Sequence, residues 1–162
     1  MRALIQRVAR ASVSVEGRVS GTIGCGLVIL LGATHADRDP EADWLARKVA
    51  GLRVFADQDG HMNLDLAGVG GAALVVPQFT LYANARRGRR PDLIAAAPPQ
   101  HAEPLFERFC ATLAGSGVPV ERGIFRAHMA VELVNDGPVT ILIETPSNPR
   151  AAEPAGGAAE TA

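Results

Sequence analysis

Hydrophobic residues recur along this chain in two spacings, one typical of strands and one of helices. Short apolar or alternating runs predict strands at residues 3–5, 12–16, 18–23, 52–55, 72–76, 118–121, 129–135 and 139–144. Glu16-Gly17 separates two of these runs and predicts a hairpin turn. The run at residues 27–31 has no polar interruption, so it predicts a strand buried on both faces.

Two segments show helical spacing instead. Asp39-Pro40-Glu41 is typical of a helix start, with a capping Asp, a first-turn Pro and an early acid, and that helix is expected to end at Gly51. A second helix is expected from Glu103 to Gly115. Together the elements predict a strand-rich α/β domain with mixed β-sheets and two main helices, covering residues 1–145.

Composition adds limits to this picture. The chain has 162 residues, of which 48% are hydrophobic and 20% charged, as expected for one domain with a real core. No apolar run approaches the roughly 18 residues that span a bilayer, so we expect a soluble, cytoplasmic protein without a membrane partner. Cys25 and Cys110 lack metal or disulfide spacing and are expected to be reduced. Residues 146–162 are rich in Pro, Ala, Gly and Glu and are expected to be disordered.

Conventional catalytic and metal patterns are missing from the sequence. The stretch Asp57-Gln58-Asp59-Gly60 lacks the later ligands of a calcium loop, and an Asp-Gly hairpin turn explains it better. The four histidines are scattered without ligand spacing, and there is no Gly-x-Ser-x-Gly motif. We therefore expect no metal and no organic cofactor.

Two short segments closely resemble the signature motifs of the D-aminoacyl-tRNA deacylases. Residues 76–81 read VPQFTL and residues 135–140 read NDGPVT, and each follows an apolar run and is expected to open into a turn. The usual family forms are SQFTL and NxGPVT, and the resemblance runs from Met1 to about Glu144. It implies the fold of that family, a homodimer, and hydrolysis of the ester of D-aminoacyl-tRNA, with mischarged glycyl-tRNA as a further substrate. Such an enzyme performs chiral proofreading in translation.

The first motif supplies the catalytic candidates Gln78, Phe79 and Thr80. By the resemblance, the main-chain N–H groups of Phe79 and Thr80 bind the oxyanion that develops on the ester, and the 2′-hydroxyl of the terminal adenosine assists the attack. Thr80 could orient the substrate or act as a covalent nucleophile, although no base stands near it in sequence. It could also be a strand-end Thr that bonds only its own backbone.

The second motif supplies the selectivity candidates Asn135, Gly137 and Pro138. Family members hold the Gly-Pro bond in the cis form and project it into the partner subunit's site, where its carbonyls bind the α-amino group and its backbone excludes an L side chain. Arg7 aligns with a family arginine thought to brace this dipeptide, although a lone Arg on a strand is more often a surface charge.

A basic cluster is the candidate tRNA-binding feature. The formal net charge of the chain is −1, yet four arginines lie within five residues: Arg86, Arg87, Arg89 and Arg90. Guanidinium groups at this density suit the phosphates of tRNA, and a solvated loop is the plain alternative. We expect aminoacyl-tRNA as the partner and no binding to DNA.

Two positions depart from the family pattern. Pro77 stands where the first motif usually has Ser, and Arg126 stands where a Gly-x-Phe-Gly-Ala-x-Met stretch usually has Gly. Related deacylase subfamilies differ in the geometry of the Gly-Pro dipeptide and in substrate choice, so these departures bear on D-selectivity and not on the fold or the general reaction. Two other functions remain open, a non-catalytic RNA-binding module and a small-molecule esterase with Thr80 as nucleophile.

Overall fold

One long strand organises the fold. In the computed structural model, which describes residues 1–146, this strand is β1 (Arg2–Val15), and it pairs with three others. The remaining strands are β2 (Arg18–Ile23), β3 (Gly26–Gly32), β4 (Phe55–Ala56), β5 (Met62–Leu64), β6 (Ala72–Pro77), β7 (Val120–Arg122) and β8 (Met129–Glu144). The helices are α1 (Asp39–Ala50), α2 (Pro99–Gly115) and a short 3-10 helix (Phe79–Tyr82). Residues 147–162, within the predicted disordered tail, lie outside the described residues.

The strands confirm the predicted mixed sheet. On one edge β1 pairs antiparallel with β3 and then with β2, and on its other edge it pairs antiparallel with β8. β6 lies parallel to β3, and β7 lies parallel to β6. Glu16-Gly17 joins β1 to β2 and Asp57-Gly60 joins β4 to β5, so both predicted hairpin turns are confirmed. None of the helices in residues 1–146 is long and apolar enough to cross a membrane.

Both faces of β3 are buried, as its unbroken apolar run predicted. Leu27 and Ile29 belong to the core under the helices, whereas Val28 belongs to a second cluster on the opposite face. The two helices pack together on the first face and are tied by Arg108, which donates to the Asp43 carboxylate at 2.6 Å. That guanidinium lowers the pKa of the Asp43 carboxyl. Packing on both faces therefore holds β3 in place next to the candidate site.

Two predicted strand boundaries were wrong. The runs at residues 3–5 and 12–16 belong to one continuous strand, and residues 129–135 and 139–144 likewise form the single strand β8. Asn135 lies opposite Val8 and Thr140 lies opposite Gln6, so the second motif is a bulge within the ladder and not a turn after it. Pairing with β1 on both sides of the motif explains why the strand continues.

The helix starts also differ from prediction by a few residues. Arg38 precedes the first helical residue, so Asp39 is not the cap, and the Glu41 carboxylate accepts the Arg38 N–H at 2.8 Å. α2 begins at Pro99, because this proline suits the first turn as well as Pro104 does. The strand predicted at residues 52–55 shrinks to β4, since only its end finds a partner.

The contact between β3 and β6 is unusually close at its start. A Cβ atom added to Gly26 would lie 1.9 Å from the carbonyl oxygen of Ala72 on β6. Gly24, which lies just before β3, would have nothing within 4 Å of an added Cβ. Any side chain at Gly26 must therefore push the two backbones apart.

We expect Gly26→Ala to lower the free energy of unfolding by about 3 kcal/mol or more, because overpacking here acts on rigid backbone. Gly24→Ala is the matched control and should stay within about 1 kcal/mol of the unsubstituted protein. Urea denaturation of the three proteins measures the difference. Equal stabilities for the two variants would show that β3 and β6 are not in this close contact.

Candidate active site

The first motif lies where β6 ends beside β3. The Gln78 N–H donates to the Leu31 carbonyl oxygen at 2.7 Å, which extends the ladder one residue beyond β6. A Cβ atom at Gly32 would lie 2.9 Å from the Gln78 carbonyl oxygen. Glycine thus permits the close approach, and the main chain of the motif is held at a fixed distance from β3.

The 3-10 helix presents main-chain donors at this point. The first N–H groups of a helix have no acceptor within it, and here they belong to Phe79 and Thr80. The Phe79 side chain is 57% exposed, which is unusual for a large apolar residue. Amides held in this way can donate to an oxygen that gains negative charge, which is the role that the resemblance assigns to them.

Thr80 is held by a neighbour and lacks a base. Its hydroxyl oxygen accepts a hydrogen bond from the side-chain amide of Gln78. Within residues 1–146, no carboxylate, imidazole or amine lies within hydrogen-bond distance of that hydroxyl. Burial raises the pKa of the nearby Tyr82 phenol above its ordinary value, so this group is no base either. The arrangement favours a Thr80 hydroxyl that orients other groups over one that attacks.

A cavity of about 340 Å³ opens beside the motif. Its walls are mostly apolar and include Met1, Leu31, Ala97, Phe106, Phe125 and Met129. Gln78, Phe79 and Arg126 also line it. An apolar cavity with few polar groups suits a planar ring, from a nucleoside base or an aromatic side chain. No sequence pattern predicted this cavity, because its walls come from segments far apart along the chain.

Arg2 is a further residue at the site that no sequence pattern predicted. Its guanidinium donates to the carbonyl oxygen of Leu81 at 2.8 Å, pairs with Glu144 and lies 4.5 Å from the centre of the Tyr82 ring. These contacts fasten the 3-10 helix to the ends of β1 and β8. A lone arginine in a strand carries no sequence signal for this role.

The second motif is tightly held within β8. The Asn135 side-chain oxygen accepts the Val139 N–H at 2.8 Å, and its amide donates to the Thr140 hydroxyl at 3.0 Å. The Gly137-Pro138 peptide bond is cis, as expected. Asn135 therefore closes the bulge that carries the dipeptide.

Arg7 braces this bulge from β1. Its guanidinium donates to the carbonyl oxygen of Asp136 at 2.9 Å and to that of Val54 at 2.5 Å. Its side chain is only 13% exposed, so it is not a free surface charge. The structure thus places Asn135, Gly137, Pro138 and Arg7 in one cluster.

The two motifs do not meet within one chain. Gln78 lies beside Gly32, which pairs with Arg2, whereas Gly137 lies beside Arg7. Five residues of extended β1 separate these points, or about 17 Å at the usual rise of a strand. Within one chain, the two motifs therefore lie at separate points along β1.

The four clustered arginines occupy an exposed loop that starts and ends near the cavity. Asn84 and Asp92 close this loop by exchanging two main-chain hydrogen bonds, of 2.9 and 3.0 Å. The chain enters it from the 3-10 helix and returns to the cavity wall at Ala97. No acidic residue within 1–146 pairs with the side chains of Arg86, Arg87, Arg89 and Arg90. Their binding to tRNA stays a prediction.

The two departures from the family pattern are neighbours in the structure. A Cβ atom at Gly123 would lie 3.3 Å from Cδ of Pro77, so the loop that carries Arg126 packs on the end of β6. Pro77 costs no hydrogen bond to β3, because the Gln78 N–H makes that bond. Arg126 has a left-handed backbone, with φ 65°, and its side chain is exposed.

Curated proteins include close relatives over most of the described chain. The chain is 57% identical over 145 residues to the D-aminoacyl-tRNA deacylase of Thermomicrobium roseum, covering 90% of this chain and 94% of the relative. It is 55% identical over 149 residues to the D-aminoacyl-tRNA deacylase of Thermus aquaticus, covering 92% and 98%.

Solved structures agree on the fold. The c-Myc DNA unwinding element binding protein superposes with a TM-score of 0.84 at 38% identity, covering 91% of this chain and all of that one. A probable eukaryotic D-amino acid tRNA deacylase superposes with a TM-score of 0.75 at 16% identity, covering 88% and 97%, which shows the fold alone. Residues 4–144 match the D-Tyr-tRNA(Tyr) deacylase family over nearly the whole described chain, so the chain belongs to this family.

Proposed function

We propose that this chain hydrolyses the ester of D-aminoacyl-tRNA, and of mischarged glycyl-tRNA, at a site shared between two copies of the chain. The observation that carries the proposal is the start of the 3-10 helix, where the N–H groups of Phe79 and Thr80 have no acceptor within the helix and Phe79 lines an apolar cavity. The proposed substrate places the enzyme in the cytoplasm, where charged tRNA is used.

The chemistry is an ester hydrolysis supported by backbone donors. Water attacks the carbonyl carbon of the aminoacyl ester, and the Phe79 and Thr80 amides stabilise the negative charge that develops on the carbonyl oxygen. Preorganised donors of this kind are worth about 3 kcal/mol each. The bond to the ribose oxygen then breaks, and that oxygen takes a proton. The neighbouring 2′-hydroxyl of the substrate assists the attack, so the enzyme needs position more than a nucleophile of its own.

Selectivity comes from the second motif of the partner copy. The distance of about 17 Å between the motifs along one strand supports a shared site. The outer edge of β8 also lacks a partner strand within residues 1–146, and Val131, Val134 and Leu142 are exposed along this strand. Proteins usually cover long, exposed, apolar strand edges of this kind with another segment or another chain. A rigid bulge held by Arg7 and Asn135 then excludes an L side chain sterically.

The assisting role of the substrate's 2′-hydroxyl is tested with a tRNA that ends in 2′-deoxyadenosine. We expect the rate to fall about 100-fold or more on this substrate, because the assisting hydroxyl is absent.

Thr80→Ala should slow hydrolysis only about tenfold, the equivalent of one hydrogen bond. Chelators should leave single-turnover rates unchanged, since no step uses a metal. Normal hydrolysis of the deoxy substrate would contradict this route, and complete inactivity of Thr80→Ala would favour the esterase with a Thr80 nucleophile.

The shared site is tested by combining two damaged subunits. Gly32→Ala should displace the Gln78 carbonyl and so disable the first motif. Arg7→Gln should remove the hydrogen bond to the Asp136 carbonyl oxygen, so that the second motif is no longer held in place. Each homodimer should be nearly inactive. Purified heterodimers that carry one subunit of each kind should recover about half of the wild-type rate, because one of the two sites has both motifs intact.

The matched control for this experiment pairs Gly32→Ala with Thr80→Ala. Both changes damage the first motif, so their heterodimer should show no recovery beyond the mean rate of its two parent homodimers. If the Gly32→Ala and Arg7→Gln heterodimer also fails to recover, the two motifs do not act across an interface between copies.

The role of the basic cluster is tested by the salt dependence of tRNA binding. Replacing Arg86, Arg87, Arg89 and Arg90 by Ala should lower the slope of log affinity against log salt by about 0.9 for each duplex phosphate that is no longer neutralised. Arg10→Ala with Arg18→Ala, on β1 and β2, is the control and should leave the slope unchanged. Uncharged tRNA should compete for binding and duplex DNA should not. An unchanged slope in the quadruple variant would show that these arginines do not bind tRNA phosphates and that the loop is only solvated. It would also disfavour a pure RNA-binding module that uses this cluster.

A further inference from the structure

Arg126 is a charged side chain at the cavity with no partner of its own. It lines the cavity, it is exposed, and no residue within 1–146 forms a hydrogen bond or ion pair with it. Its φ of 65° lies in the left-handed region, which disfavours every residue with a side chain other than Asn or Asp. The long cation therefore does not help to hold the fold together.

The loop around Arg126 is nevertheless well anchored. The Gly123 N–H donates to the carbonyl oxygen of Val75 on β6 at 2.8 Å, and the Ala127 N–H closes a turn on Ile124 at 3.2 Å. These bonds hold the loop against the same strand end that carries Gln78. The backbone at Arg126 is thus held close to the strand end that carries the first motif, and its side chain lines the same cavity as Phe79.

The cavity and the cation suit different parts of one nucleotide. The apolar walls formed by Phe106, Phe125 and Met129 fit a planar ring, whereas an anion would stay at the exposed rim because burying it is costly. A nucleoside that inserts its ring in the cavity leaves its 5′-phosphate close to that rim. A guanidinium can bind such a phosphate through two parallel hydrogen bonds.

We propose that Arg126 binds the 5′-phosphate of the terminal nucleotide of the tRNA. This inference rests on the proposed function, because it assumes that the terminal nucleoside enters the cavity. Arg126 is then a binding residue for the tRNA end, separate from the Arg86 to Arg90 cluster. The other anion that could reach the rim is the side-chain carboxylate of an acidic aminoacyl group, and the experiment separates the two.

The test compares the binding of adenosine 5′-monophosphate and of adenosine by calorimetry. The unsubstituted protein should bind the monophosphate about tenfold more tightly, which is the usual effect of one charged hydrogen-bonded pair. Arg126→Gln should remove this preference and leave adenosine binding unchanged. Arg126→Lys should keep part of this preference, because lysine retains the positive charge but cannot form two parallel hydrogen bonds to the phosphate. Arg126→Gly should behave like Arg126→Gln, and since Gly suits the left-handed backbone, its weaker binding cannot come from misfolding.

The matched control is Arg18→Gln, which removes an exposed arginine on β2 and should change neither affinity. The proposal is overturned if the unsubstituted protein binds both compounds equally, or if Arg126→Gln weakens both by the same factor. It is also overturned if Arg126→Gln selectively slows the hydrolysis of D-aspartyl-tRNA relative to D-alanyl-tRNA, because the cation then binds a side-chain carboxylate. Failure of the proposed function is a separate result, namely no hydrolysis of D-tyrosyl-tRNA by the unsubstituted protein.

Discussion

The parallel contact between β3 and β6 is the constraint on which the candidate active site depends. Gly26 lets the two backbones meet at the start of β3, and Gly32 lets the chain after β6 pass close to the end of β3. Because both faces of β3 are buried, this contact cannot shift without disturbing the whole core. The amides of Phe79 and Thr80 follow directly after this contact along the chain, so their positions are fixed by it. Oxyanion donors act best when they are fixed before the charge develops, so in the proposed mechanism packing far from the cavity supports catalysis.

A site built from main chain has its own tolerance to substitution. Pro77 replaces the Ser of the usual motif, yet the bond to Leu31 comes from the Gln78 N–H, so the donor segment keeps its place. Thr80 likewise has no base within hydrogen-bond distance among residues 1–146. Its hydroxyl bonds to Gln78, and this contact shapes the segment without supplying a nucleophile. In the proposed site, side chains orient the main chain, and main-chain N–H groups are the donors to the ester oxygen.

Local sequence signals predicted the elements better than their limits. The unbroken run of β3 and the turn at Glu16-Gly17 were found because each has its own local pattern. The first motif was placed correctly at a strand end, since β6 is also a compact apolar run. The continuity of β8 through Asn135 was missed, because a Gly-Pro dipeptide normally ends a strand and only pairing with β1 carries this strand past it. The cavity and the anchoring by Arg2 depend on tertiary contacts that no local pattern shows.

The position of the second motif within a strand changes what it can do. A turn at a strand end can bend to meet a ligand, whereas a bulge with ladder on both sides cannot move independently of the sheet. Arg7 adds a further restraint by tying the bulge to the carbonyl oxygen of Val54, which lies outside both strands. Such an element is suited to exclusion, because a rigid backbone rejects a wrongly placed side chain at no further cost in ordering. Because this bulge cannot bend toward the first motif of its own chain, its rigidity also supports the proposed site between two copies.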